Sequence, residues 1–250
     1  MSRAGIVRTI LIAAAFAALE VLCRLGVIPR VTMIPPSEMV AALWTILASG
    51  RYNNDIFFTL YNIVAAAALA TVLGFFVGAG LHALPRLRRP LVPLLSAYYA
   101  VPTFVFYPLL IVAFGVGRTA LIVMGAMFGV VAMIVNTTLG LDHVPPAVDR
   151  TAAILRLDRW RRLVLVRLPA AAPHLVTGVK LAVAYSVIGI VAGEFILATS
   201  GMGKRISYSY DNFDNRTMYG MLLLLLLGVM IVNGALSAWE KRLHRRFGQQ

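Results

Sequence analysis

Six arginines, at positions 150, 156, 159, 161, 162 and 167, crowd one short stretch, DRTAAILRLDRWRRLVLVRLP, with two aspartates, Asp149 and Asp158. Arginine at this density recognises anions, whether lipid headgroups or the acidic surface of a protein partner. Three other charges, Glu20, Lys180 and Glu194, fall inside apolar runs, where an ionised side chain costs a few kcal/mol on insertion scales. Each is read as a substrate contact, an ion pair or a snorkelling group. Lys180 lies only about 10 Å from the start of its run, which favours snorkelling. It shares a helix face with Glu194, but a rise of about 21 Å prevents the two from pairing.

The remaining reactive groups are too dispersed for catalysis. The histidines, His82, His143, His174 and His244, show no helical metal-ligand spacing. The single cysteine, Cys23, allows neither an intrachain disulfide nor a Cys-based metal site. No Ser-His-Asp set and no workable pair of carboxylates is present. Gly201-Met202-Gly203-Lys204 fails as a phosphate loop, with Ala198 where the first Gly belongs and Arg205 where Ser or Thr belongs. The expectation is a non-catalytic chain with no catalytic residue, cofactor or metal.

The elements that carry these groups belong in a membrane. Apolar residues make up 60% of the 250 and charged ones 13%, and the mean hydropathy is +0.83, more apolar surface than a soluble domain of this length can hide. A net charge of +13 does not indicate nucleic acid, because the basic residues flank apolar runs. Six runs are long enough to span as helices: Gly5 to Arg24, Ile56 to Leu84, Leu91 to Phe114, Thr119 to Leu141, Pro173 to Thr199 and Thr217 to Trp239. An internal N-terminus leaves 15 basic residues inside and 7 outside, with Lys180 in the membrane, so both termini are expected in the cytosol. Glu20 and Arg24 directly after the first run argue for an uncleaved first span rather than a secretory signal.

The expected organisation is one transmembrane domain. Residues 1–55 supply the first span and an outer interfacial helix, 56–239 a five-span core, 142–172 a cytosolic loop and 240–250 a basic cytosolic tail. In the outer segment Pro35-Pro36-Ser37 stops the chain, and Ser37 is placed to cap a helix carrying Val40, Leu43, Trp44 and Leu47 on one face. Pro102 and Pro108 should kink or break the third span. Irregular backbone at that depth must be buried in protein or face a watery path. The surrounding Tyr98, Tyr99, Thr103, Phe104, Phe106 and Tyr107 fit either a path lining or ordinary packing. Three G-x-x-x-G pairs, Gly74/Gly78, Gly125/Gly129 and Gly189/Gly193, permit close helix approach within one chain or between two.

The arginine-rich stretch itself reads as a helix hairpin. Pro146 suits the start of a helix bearing Val148, Thr151, Ala152 and Leu155. Asp158 can cap a second bearing Trp160, Leu163, Val164 and Arg167, which Pro169 and Pro173 should stop. Attraction to headgroups explains the charge alone; docking of a cytosolic protein explains the charge and the bounded helices.

This stretch resembles the cytoplasmic loop of binding-protein-dependent ABC-transporter permeases, in which a Glu-Ala-Ala element and a later Gly precede a hydrophobic-x-Leu-Pro ending. Here the ending is Val166-Arg167-Leu168-Pro169, continued by Ala170-Ala171-Ala172-Pro173 and Thr177-Gly178. The likeness extends to Ile34-Pro35-Pro36-Ser37-Glu38, Ala100-Val101-Pro102 with Pro108, Phe114-Gly115-Val116-Gly117, Asn136-Thr137, Gly193-Glu194-Phe195 and Ser200-Gly201-Met202-Gly203. The chain is similar to the nitrate, sulfonate, taurine and bicarbonate branch. Two positions depart: the family's Glu falls on Arg150 and its Gly on Arg156.

The resemblance implies an all-α polytopic permease subunit of a bacterial inner-membrane importer for a small, anionic solute. It further implies a homodimer, a cytosolic ABC ATPase dimer, and a periplasmic or lipid-anchored solute-binding protein, in membrane lipid and without nucleic acid. The ATPase-coupling residues are then Asp149, Arg150, Ala152, Leu155, Arg156, Asp158, Arg159, Trp160 and Pro169. The translocation path involves Tyr99, Pro102, Phe104, Tyr107, Pro108, Lys180 and Glu194. A stand-alone secondary transporter or channel is the alternative; it needs charged relays inside the spans and no docking hairpin.

Overall fold

A computed structural model of the chain describes residues 3–98, 100–145, 147, 150, 152 and 154–246. Among these the secondary structure is helical, in the order α1 (Arg3–Arg24), α2 (Pro36–Ser49), α3 (Asn53–Ala83), α4 (Pro85–Tyr98), a 3-10 turn (Thr103–Phe106), α5 (Tyr107–Phe114), α6 (Arg118–Asp142), α7 (Arg159–Arg162), a π turn (Leu163–Arg167), α8 (Leu168–Leu197), α9 (Met202–Asp211) and α10 (Asn215–Arg246). Five stretches are long and apolar enough to cross a membrane: α1, α3, α6, the run from α7 through α8, and α10.

The third expected span is broken. α4 ends at Tyr98, Pro102 is extended (φ −64°, ψ 100°), and α5 has only eight residues. Pro102 cannot donate to a helical carbonyl. Local turns serve the backbone instead, with Ala100 N–H on Ala97 O at 3.0 Å and Val105 N–H on Pro102 O at 2.9 Å. Pro108, expected to interrupt, stands in the first turn of α5, where the missing N–H has no helical partner to lose.

A second expectation is also revised. Pro169 and Pro173 do not end the loop's second helix, which runs on into α8. The π turn is the reason: Leu168 N–H reaches back to Leu163 O, five residues away, and the widened turn receives the Pro169 ring without a break.

The chain divides into two compact units, the first made of Met1–Phe58 with Glu194–Gly228, the second of Thr59–Gly193 with Val229–Gln250. In the first, Ile46, Met202, Ile206, Met218 and Met221 form an apolar core. The α2 face carrying Val40, Trp44 and Leu47 is exposed, whereas Ala42 and Ile46 are buried. Ser37 does not cap α2 with its side chain. Glu20 of α1 does that work, accepting Ser37 N–H at 3.0 Å and Ser37 Oγ–H at 2.6 Å, because a carboxylate suits the positive end of a helix better than a hydroxyl.

Also in this unit, two carboxylates hold the start of α9. Asp55 accepts Gly201 N–H at 3.0 Å and Arg205 Nε–H at 2.7 Å. Glu194, fully buried, accepts Gly203 N–H at 3.1 Å. Gly201 is needed twice over: its φ is +111°, and a Cβ there would run into the Glu194 carboxylate. The bond to Asp55 holds the Arg205 guanidinium above its ordinary pKa.

The second unit is a glycine-seamed helix packing. A Cβ at Gly78 would lie 2.7 Å from Ile134 O, and one at Gly129 would lie 2.6 Å from Ala182 O. Cβ atoms at Gly74 and Gly189 would meet Met133 and Phe128 at 2.6 and 2.8 Å. All three G-x-x-x-G pairs therefore bring α3, α6 and α8 of the same chain into contact. Met133, Ala70, Ala126 and Ala182 fill the centre.

Candidate functional site

Two features of the second unit bear on function: the arginine-rich loop and a cleft at the break in the third span. In the loop, Leu157 N–H bonds Ala152 O at 3.1 Å while Arg156 adopts φ +52°. A six-to-one bond closed by a left-handed residue is the Schellman ending of a helix. Asp158 then opens α7, accepting Arg161 N–H at 3.2 Å through its side chain. Both ends of the turn are thus fixed by the chain itself, and Ala152 is its buried anchor.

The loop's outer surface runs against ordinary patterning. Ile154 is 80% exposed, Leu155 65%, Trp160 70% and Leu165 63%, and Arg150, Arg156 and Arg161 are exposed beside them. Asp149 lies outside the described residues, as does the side chain of Arg159. Next to the loop, Asp142 at the end of α6 bonds His82 Nδ1 of α3 at 2.8 Å and Arg88 of α4 at 2.6 Å. This carboxylate ties three helix ends together where the loop departs.

The cleft, of about 280 Å³, is lined by Tyr98, Val101, Pro102, Thr103, Phe104, Phe128, Tyr185 and Ile188. Its floor is the irregular backbone after α4; its walls come from α6 and α8. Tyr98 Oη–H donates to Met127 O at 3.1 Å, and the Phe104 and Phe128 rings meet at 5.0 Å between centroids. Those contacts hold the broken segment against α6.

Of the residues expected on a path, Pro102 and Phe104 line this cleft. Tyr107 does not: it is 1% exposed, turned inward as the first residue of α5. Pro108 is exposed elsewhere on that helix, and Tyr99 lies outside the described residues. Lys180 is not a lone snorkelling group. Its Nζ meets Glu240 at 3.2 Å, and Thr177 Oγ1–H also donates to that carboxylate. Glu240 was hidden from a sequence reading because it follows the last apolar run by one residue. Glu194 belongs to the α9 clasp. Phe128, Tyr185 and Ile188 were missed; they sit in apolar helical runs that look like any core stripe, and only the glycines Gly125, Gly129 and Gly189 beside them marked a close helix crossing.

Comparisons agree with this architecture. The family described as binding-protein-dependent transport system inner membrane component matches residues 70–249. The riboflavin transport system permease protein of Chloroflexus aurantiacus is 27% identical over 85% of this chain and 82% of its own length. The taurine transport system permease protein of Escherichia coli is 28% identical over 84% and 73%. The nitrate import permease protein of Leptolyngbya laminosa is 24% identical over 78% and 74%. Among solved structures, an inward-facing form of the MetNI methionine ABC transporter superposes with a TM-score of 0.68 at 19% identity, covering 77% of this chain and 95% of that one. With the family match spanning residues 70–249 and, among the described residues, five helices long and apolar enough to cross a membrane, the chain belongs to the inner membrane components of binding-protein-dependent transport systems, as a multi-pass permease.

Proposed function

We propose that this chain is the membrane-spanning subunit of an ATP-driven importer in a bacterial inner membrane. Two copies pair, each gripped through residues 150–167 by a cytosolic ATPase, and an extracytoplasmic binding protein delivers a small solute. The observation that carries this reading is the loop surface. Leu155 and Trp160 are exposed beside arginines on a turn whose backbone is already closed by its own caps. A rigid turn that presents large apolar side chains is a docking surface. The excess of basic residues on its side of the spans supports a cytosolic position.

Movement of the ATPases would be passed from α7 through the π turn into α8 without a joint, since these segments form one uninterrupted helical run. α8 carries Tyr185 and Ile188 of the cleft, so a tilt of this run reshapes the opening and shifts the population between its states. Relatives named for taurine and nitrate favour an anionic solute.

Affinity purification of the full chain with its ATPase tests the reading. Leu155→Asp with Trp160→Ala should abolish recovery of the ATPase while the chain still inserts and melts as before. Recovery undiminished in that variant would defeat docking at this surface, and reaction of a cysteine placed at Arg161 with an impermeant reagent from the outer side would defeat the orientation.

A further inference from the structure

We infer that the cleft beside Pro102 holds a planar aromatic ring, so that the solute handled by this permease carries one. This rests on the proposed transport role and adds the chemical class of the cargo.

Four of the eight lining residues are aromatic, contributed by four separate elements: Tyr98 from α4, Phe104 from the 3-10 turn, Phe128 from α6 and Tyr185 from α8. Interiors pack closely, and an opening of about 280 Å³ is not a packing defect of ordinary size. It falls just under the range of small-molecule pockets, which suits a solute of one or two rings. Irregular backbone is tolerated at membrane depth where it lines a cavity, and here the extended Pro102 forms part of the lining. Aromatic walls offer ring faces and edges for offset or edge-to-face contact with another ring, an interaction beyond simple apolar burial.

The polar content narrows the class further. None of the lining residues is charged, and the polar side chains among them are the hydroxyls of Tyr98, Thr103 and Tyr185. Tyr98 donates to Met127 O and is also bonded to the Thr103 side chain, and a phenolic oxygen so engaged keeps one further lone pair. A bare inorganic anion would find no cation there to replace its hydration, which is costly. An anionic group on the cargo is therefore not what this cleft grips; the ring is, with hydroxyls at its edge.

The test uses the full chain with its ATPase in lipid nanodiscs and two probes of like charge, benzenesulfonate and methanesulfonate, measured by equilibrium binding. Benzenesulfonate should bind at least about tenfold more tightly, a ratio one good aromatic contact supplies. Tyr185→Leu and Phe104→Leu should each remove most of that preference, whereas Tyr185→Phe, which keeps the ring, should retain it. Equal binding of the two probes, a preference indifferent to both leucine variants, or a cleft filled by a lipid chain that benzenesulfonate does not displace would each overturn the inference. Co-purification of the ATPase in the same samples reads the transport role separately: its loss in the unaltered chain would count against that role, while a failed ring preference with the ATPase still bound would count against the cargo alone.

Discussion

The glycine seam and the arginine-rich loop obey opposite rules. Along the seam, small residues sit where any side chain would strike a neighbouring helix, as at Gly129 against Ala182 and Gly78 against Ile134. In the loop a large charged residue, Arg156, occupies a left-handed position that suits glycine, and Leu155 and Trp160 point away from the protein. The seam spends its sequence on fitting the chain to itself; the loop accepts strain and exposure that do nothing for the isolated chain. Such a contrast separates surfaces made for folding from surfaces made for a partner.

The contrast breaks if seam substitutions are mild. Gly129→Leu should have the largest effect, since its side chain would meet the Ala182 carbonyl and Ser186 Oγ. Overpacking against backbone costs about 3 kcal/mol or more, visible as a collapse of detergent-solubilised yield and a lowered thermal midpoint. Trp160→Ala should leave that midpoint unchanged, because the side chain is 70% exposed. It should instead weaken ATPase association by about 2 kcal/mol, roughly thirtyfold, as loss of an anchoring aromatic does. A thermal midpoint that falls with Trp160→Ala would place that residue with the seam.

Glu194 sharpens the comparison from the other side. It was a candidate for the path, yet its carboxylate is fully buried on Gly203 N–H. Glu194→Leu should destabilise the protein by about 2 kcal/mol by leaving that buried donor without its acceptor, measured as a shift of the unfolding transition. Loss of uptake with an unshifted transition would instead support a role for Glu194 on the path.

How far the sequence reveals all this depends on the kind of signal. Run length and flanking charge gave five of the spans, since burial of apolar helices in lipid leaves a strong one-dimensional trace. The break near Pro102 was visible because proline acts on its own backbone. The continuity of α7 through α8 was not, because a π turn has no residue code and tertiary packing decides whether a proline ends a helix or is absorbed. The loop was legible from Asp158 and the arginines. The cleft was half legible: Pro102 and Phe104 lie on the broken segment, but Phe128 and Tyr185 join them only once α6 and α8 cross. Pairings between distant residues, such as Lys180 with Glu240 and Glu20 with Ser37, likewise depend on three-dimensional proximity that spacing alone does not carry.

The smallest effect discriminates best. Arg156 holds φ +52° at the end of a Schellman turn, a conformation that costs a residue with a Cβ about 1 kcal/mol and glycine almost nothing. The resemblance read from the sequence implies glycine at this position in the family. Were the loop built only for its own stability, Arg156→Gly would be an improvement in every respect, raising the unfolding free energy by about 0.5–1 kcal/mol. If the exposed guanidinium instead meets an acidic groove on the ATPase, the same substitution raises stability while lowering the affinity of the complex, and charge reversal in that groove weakens binding far more with the arginine present than with glycine there. Stability and association must then move in opposite directions in one variant. A rise in both would make Arg156 a tolerated imperfection and leave Leu155 and Trp160 as the whole of the grip.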